Sequence, residues 1–576
     1  MPEERKTIET RSSDSPEVYQ QTKFMAWFEK AFPWLLVSGA ALGLTLMIIL
    51  PIIFFQEKTG DQLKAQSDLR LALLYTTGGV IAALGLLETY RKNTNDRAKA
   101  NADINATLKN QEHQTKVLKE QIRQFDENAF KERKAERRER YTKAVEQLGD
   151  EKAPVRMGGV YTLVGLIDEW LEEKNLEYSE RLKEGQVIVN NLCAYIRSPF
   201  TLASHYDELS QANSTSEGIY KDKEEEFYAD KAVLESEADV RLGIIKEIHD
   251  HIQASRENNW GPWSNFEYNF SGSVFFYPVE LTKSYYKKPV NFSGSNYYKK
   301  VNFSGSTYEK DATFSTSNFR STYKGKANFS GSTYQGEADF RSSTYQGEAD
   351  FRGSTYQSWV NFICSTYQGE VYFNISTYQD EVHFDSSTYQ NWAAFSDSTY
   401  EKEVIFSAPI FCSTYQNKVY FSDSTYQSWA DFRGSTYQDK TDFSGSIFYQ
   451  EIYFGEDGYN SFSLFTDYVP QFYDETNRKN TLFGSPDNNF TVENGRGYPI
   501  YHNLEGLPLG CKFLTSEQKE YLADKFQEIE KINNELLEIK DNKEKARLSD
   551  TLRSLKKELD VWRERVTTVK VEGTTS

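Results

Sequence analysis

The sequence predicts four parts in order: a membrane α-helical hairpin, a helical stalk and small helical domain, a β-solenoid of 11-residue double units, and a C-terminal helical hairpin. Three observations carry this. Two uncharged apolar runs, Ala31–Phe55 and Leu71–Leu87, stand near the start. Phe and Tyr alternate at steps of five and six through the middle. Two apolar stripes at helical spacing close the chain.

The chain has 576 residues, with 67 Lys+Arg against 85 Asp+Glu and a net charge of −18. Such an acidic balance excludes a general nucleic-acid coat, which needs a basic surface, so no nucleic-acid partner is expected. An aromatic share of 15%, with Tyr 38 and Phe 38, argues against wholesale disorder. The four cysteines, Cys193, Cys364, Cys412 and Cys511, lie far apart without a CxxC pair. A disulfide framework or a Cys-based zinc site is not expected, and a reducing compartment fits better.

The first apolar run is long enough to cross a hydrocarbon layer of about 30 Å as a helix, and the second sits at the lower limit. A short polar loop, Gln56–Arg70, suits a hairpin with two spans. Both termini then lie on one side. Arg91, Lys92, Arg97 and Lys99 after the second span weakly favour the cytoplasm of a cell (inner or plasma) membrane. Gly39 and Gly43, one helical turn apart, offer a small-residue face for self-association, although glycine is also simply common in membrane helices.

Residues 1–30 read as a cytoplasmic tail, 31–90 as the two transmembrane helices and 91–139 as a stalk. In the stalk Ile104, Leu108, Gln111, Thr115, Leu118, Ile122, Phe125 and Ala129 form a heptad seam with two polar members. An oligomeric coiled coil is favoured over a helix packed on its own domain. The mixed charges of Lys131–Arg140 read as a solvated helix face. A small helical domain follows at 140–255: Leu148-Gly149 closes one helix, Pro154 opens the next, and Val160, Leu163, Val164 and Ile167 share a face.

From 265 to 455 the chain repeats. Phe329, Phe340, Phe351, Phe362, Phe373, Phe384, Phe395 and Phe406 recur every 11 residues, interleaved with Tyr334, Tyr345, Tyr356, Tyr367, Tyr378, Tyr389 and Tyr400. Only the steps Phe314–Phe329 and Phe406–Phe421 are longer, at 15. Five residues advance a helix by about 500°, so Phe and Tyr would not share a helix face; extended chain is required. Two residues before each Phe stands Ala or Val, and two before each Tyr stands Ser. In extended chain these pairs point to the same side. Each half-unit thus sends an aromatic and a small residue inward, and stacked coils bury one another. The acids Glu337, Asp339, Glu348 and Asp350 read as outward and solvated. If two units make one coil, about eight coils at ~4.8 Å give a rod about 40 Å long.

Ala338-Asp339-Phe340-Arg341-Ser342 and Ala430-Asp431-Phe432-Arg433-Gly434 resemble the motif of the pentapeptide-repeat family. The Ser-Thr-Tyr halves match more loosely, and the sixth residue of alternate units departs from the family period. Upstream, Glu146–Gly149, Val155–Tyr161 and Leu192–Arg197 look like the helical segment before the repeats in bacterial membrane-linked members. The resemblance implies a four-sided coil, and some family members imitate DNA and inhibit topoisomerases.

An irregular aromatic segment, 456–513, reads as the solenoid's cap. Beyond it Thr515-x-x-Gln518 resembles a capping box. Leu522, Phe526, Ile529, Ile532, Leu536 and Ile539 form one stripe; Leu552, Leu555, Leu559, Trp562 and Val566 form another. The phase slip between them favours a hairpin over 514–568, with a disordered tail at 569–576.

No phosphate loop, GxSxG elbow or HExxH is present. His249 and His251 stand about 200° apart on a helix and cannot share a metal. No catalytic residue, metal or cofactor is expected. The reading is a non-enzymatic membrane-anchored scaffold whose solenoid faces bind an unspecified protein, self-associated through spans and stalk in a lipid membrane. The alternatives are a DNA-mimic regulator of a topoisomerase or other DNA-binding protein, and an oligomeric membrane pore or sensor.

Overall fold

The computed structural model describes residues 23–54, 60–92, 97–253, 260–407, 412–456, 461–493, 495–539 and 542–569. The expected N-terminal tail lies largely outside these residues, and so does nearly all of the C-terminal tail. The chain divides into two compact units, 1–132 and 133–576.

In the first unit, helix α1 (Lys23–Phe54) packs against α2 (Gly60–Lys92), and α3 (Arg97–Leu148) begins. Among the described residues, one helix segment, Ala31–Phe54, is long and apolar enough to cross a membrane, and little of it is buried. The run Leu71–Leu87 lies within α2.

The second unit opens with the end of α3, followed by α4 (Ala153–Leu171), α5 (Tyr178–Arg197), a 3₁₀ turn (Thr201–His205), α6 (Tyr206–Leu209) and α7 (Glu224–Ile252). Pro154 sits in the first turn of α4, where a missing N–H costs nothing. The charged run before it is not a solvated face. Arg133 and Arg137 pair with Glu173, Arg137 and Arg140 pair with Glu169, and the Arg137 guanidinium lies 4.7 Å from the Trp170 ring centre. The spacing of three and four places these arginines on one helix face, and α4 supplies the acids that turn it inward.

Residues 268–453 form a parallel β-solenoid of about eight coils with a 22-residue spacing. Each coil has four short strands. Ala338–Phe340, Thr344–Tyr345, Ala349–Asp350 and Thr355–Tyr356 represent the first to fourth faces. Like residues pair with like one coil on: Tyr345 with Tyr367, Ala349 with Val371. The period of 11 therefore yields four aromatic columns, two of Phe and two of Tyr. Phe340–Phe362 and Tyr356–Tyr378 each stack with ring centres 5.0 Å apart, while Phe340 meets Phe351 of the facing column edge-on at 5.2 Å. Both arrangements suit the ring quadrupole.

The two long steps in the repeat are insertions at one corner. They follow Phe314 and Phe406, both in the first-face column, and lengthen the inter-coil pairing to Ala312–Ala338 and Val404–Ala430. The same serines close both: the Ser321 hydroxyl donates to the Phe314 carbonyl at 2.6 Å, and that of Ser413 to Phe406 at 2.7 Å.

The irregular segment is more than a cap. Phe465, Phe472, Phe483 and Phe490 each land on one column, against Tyr437, Phe443, Phe448 and Phe454. It is one further, enlarged coil, decorated by two small antiparallel hairpins. At the other end Trp263 and Phe266 are fully buried, and the helical domain shares one continuous core with the solenoid, from Ala144 to Cys511.

The C-terminal helices α8 (Ser516–Glu538) and α9 (Asn542–Thr567) pack on each other, Tyr521 stacking on Trp562 at 4.8 Å. The capping box at Thr515 and Gln518 forms. The hairpin is docked on the fourth face: Phe526 meets Tyr449 edge-on, and Leu522 and Leu559 share a core with Ile447 and Leu482.

Candidate interaction surface

The fifteen aromatics from Phe329 to Phe406 singled out by the repeat are all buried, at 0–1% exposure. They cannot touch a partner, so what the solenoid presents is decided by the residues between them.

The serine before each tyrosine has a specific task. The Ser376 hydroxyl accepts from the Ser354 backbone N–H at 3.3 Å and donates to the Phe351 carbonyl at 3.2 Å. This pattern recurs at Ser306, Ser332, Ser354, Ser387 and Ser398. Backbone groups at the corners would otherwise be buried without partners.

Asp339 and Asp350 are not solvated acids. Each accepts the backbone N–H two residues on, from Arg341 and Arg352, and pairs with that arginine's guanidinium. These are Asx turns, and they start the corner. The next residue takes a positive φ: Ser342 58°, Gly353 64°, Cys364 59°, Ile375 62°. Glu337 is exposed, and Glu348 pairs with Lys326 at 2.7 Å.

The faces differ in what they leave outside. On the fourth, Glu401 bonds Asn533 of α8 and Lys556 of α9, Gln379 bonds Asn533, and Arg563 reaches Asp397. A polar cleft of about 720 Å³ remains between α8 and the column Gln335, Gln357 and Gln379. Amides, carboxylates, the lysines Lys310, Lys402 and Lys545, and Ser549 line it. The second face carries a neutral row, Thr344, Thr366, Thr388, Thr414 and Thr436. α6 covers its start, where Lys324 pairs with Asp207 at 2.6 Å and Tyr206 packs on Tyr298.

The first and third faces are opposite each other and carry charge and exposed rings. Three residues before each first-face Phe stand Glu267, Asp311, Glu337, Glu381, Glu403 and Glu451, interrupted by Pro289, Trp359 and Trp429. At the matching third-face position stand Lys300, Lys326, Lys418 and Lys440, with Glu348, Glu370 and Trp392. Rings continue the third face: Trp392 meets Tyr372 at 5.2 Å and Tyr420 at 5.7 Å, edge-on, and Arg352 lies 4.6 Å from the Tyr372 ring. These outward columns escape the 11-residue reading because they differ between half-units; read at 22, they separate.

Three of the histidines have structural partners. His249 bonds the Thr282 carbonyl at 2.8 Å. His251 stacks on Trp263 and contacts Asp168, and His383 lies between Glu381 at 2.6 Å and Asp385 at 3.3 Å. Burial alone would lower the His383 pKa, but the hydrogen bonds and charges of Asp385 and Glu381 outweigh it and hold it above the ordinary histidine value. No group of three or more His, Cys, Asp or Glu is placed to hold a metal among the described residues. Cys193 and Cys511 are buried, which pushes each thiol up to about 12; Cys364 and Cys412 are exposed.

In the first unit, Gly43 lies directly against Thr77 of α2, where a methyl group would collide with the threonine, whereas Gly39 has open space around it. Gly43 is thus occupied within the chain. In the stalk seam Leu108 is 45% and Phe125 66% exposed, while Leu118, Ile122 and Ala129 are half-buried.

No family model, no curated protein and no solved structure matches this chain.

Proposed function

We propose that this chain is a non-enzymatic, membrane-anchored scaffold whose solenoid, of pentapeptide-repeat type, presents protein-binding faces to the cytoplasm. One observation carries this reading. Every repeat aromatic from Phe329 to Phe406 is spent on the core and both solenoid ends are closed, yet the first and third faces keep ordered columns of charges and half-buried rings outside. Half-exposed Trp and Tyr beside Arg are the residues that anchor protein interfaces.

Anchoring rests on Ala31–Phe54; Leu71–Leu87 of α2 supplies the second span, which returns the chain to the cytoplasmic side. The exposed Leu108 and Phe125 support assembly of the stalk as a coiled coil.

Two measurements test the reading. The detergent-solubilised protein is used as bait in its native host after in-membrane crosslinking, beside a variant carrying Trp359→Gln, Trp392→Gln and Trp429→Gln. Partners lost from the variant are expected; an identical set in both rejects the faces as the binding site. For topology, a membrane-impermeant maleimide should label Cys364 and Cys412 only after cell lysis. Labelling of intact cells would place the solenoid outside.

A further inference from the structure

The first and third faces share a pitch and differ in sign. Each column advances one position per coil, about 4.8 Å, because the same coils generate both. The first-face column carries six acids and no base; its third-face counterpart carries four lysines and two acids. Glu337, Glu403, Lys300 and Lys418 make no ion pair among the described residues. Glu337, Lys300, Lys418 and Lys440 are exposed, and Glu403 is half-exposed.

We propose that the acidic first face of one copy docks on the lysine-bearing third face of a second copy of this chain, so that solenoids assemble side by side in open rows. Because the two faces lie on opposite sides of the coil, a pure sideways translation superimposes them and keeps the rods parallel. At equal height Asp311 then meets Lys326, Glu403 meets Lys418, and Trp429 meets Lys440. The third pair is a cation–π contact. A basic partner protein would satisfy the acids too, but another copy sets Lys326, itself paired with Glu348, and Lys418 at the heights of Asp311 and Glu403; Glu337 there meets Glu348, a like-charge position that limits the contact to the coils on either side.

The contact is heterologous: it uses two different patches, so it does not close on itself and each added copy leaves one acidic and one basic face free. A face of about eight coils and roughly 10 Å width covers about 400 Å², half the usual share of a stable interface. One such contact is weak and screened by salt. Rows therefore form where copies are concentrated and dissolve at high ionic strength. Closed ends leave the sides as the route to growth.

The test uses the full chain in lipid vesicles, as an equal mixture of ¹⁴N- and ¹⁵N-labelled protein, treated with a zero-length carbodiimide crosslinker and read by mass spectrometry. Mixed-isotope links Glu403–Lys418 and Asp311–Lys326 are expected, falling at least fivefold in 0.5 M salt. Lys418→Glu alone and Glu403→Lys alone should each lose the link between these positions. Mixing those two variants should restore it between unlike copies. Circular dichroism checks that both variants keep the fold. Same-isotope links only, mixed links confined to residues before Arg133, or a first face linked to a different protein and to no second copy in native membranes would each overturn the proposal.

Discussion

The hydroxyl of Ser376 receives the backbone N–H of Ser354 from the previous coil and donates to the carbonyl of Phe351. One small side chain thereby satisfies two buried backbone groups at a corner where strand pairing has ended. Ser376→Ala leaves both without a partner. An unmet buried polar group costs about 1–3 kcal/mol, so leaving two unmet should cost about 2–6 kcal/mol. Denaturant titration of the detergent-solubilised full chain reads it as a lower midpoint; an unchanged midpoint would remove the serine ladder from the account.

The tyrosine columns invite the opposite change. The hydroxyls of Tyr334, Tyr356 and Tyr378 are buried beside Ser332, Ser354 and Ser376 and make no well-formed hydrogen bond among the described residues. Burial raises their pKa, so they stay protonated. Phe448 already stands in this column, stacked on Tyr426 at 4.4 Å. Tyr356→Phe should therefore hold or raise the thermal midpoint, by up to about 1 kcal/mol in stability, whereas Tyr356→Ala should cost about 3–5 kcal/mol. A clear loss in Tyr356→Phe would reveal a partner for the hydroxyl.

Ile375 turns a corner with φ 62° and is 61% exposed. A β-branched residue is strained there, whereas asparagine visits this region readily. Ile375→Asn should stabilise by about 1 kcal/mol, read as a higher unfolding midpoint; destabilisation would mean the isoleucine makes contacts that outweigh the strain.

Lys556 joins the docked hairpin to Glu401, whose side chain is 8% exposed. Breaking a buried pair from one side costs about 3–5 kcal/mol. Lys556→Met should loosen the hairpin, seen as faster proteolysis within 516–567 while the solenoid stays resistant. Lys556→Met with Glu401→Gln should recover most of the protection. Equal cleavage of all three proteins would argue against this clasp.

His383 gives the fold a pH dependence of known sign. Its folded pKa stands above the unfolded value of about 6.5. The stabilisation is fully present below that value and is lost as pH rises through the folded pKa. Between pH 6 and 8, His383→Gln should flatten the decline in stability relative to the unsubstituted chain. A decline of the same steepness in both would place its origin elsewhere.

Much of the solenoid was legible in the chain itself. Alternation of an aromatic with a small residue two positions earlier demands extended chain with both side chains inward, and a repeat too short to bury its own face must stack. Phe340 and Tyr345 could therefore be assigned to the core from spacing alone. The capping box at Thr515 was equally local, since its bonds span three residues. What escaped depended on partners distant in sequence. Arg137 looked solvated until α4 brought Glu173 to it. Asp350 is the local exception: Arg352, two residues on, claims its carboxylate within the turn. The enlarged last coil was hidden because long loops separate Phe465, Phe472, Phe483 and Phe490, and only the columns already built could collect them.

Period and composition thus determined that this chain stacks aromatic coils. The tertiary structure alone decided which sides of the stack remain free. Side-chain alternation within a strand specifies inside against outside for each residue, but covering a face depends on where helices more than a hundred residues away come to rest.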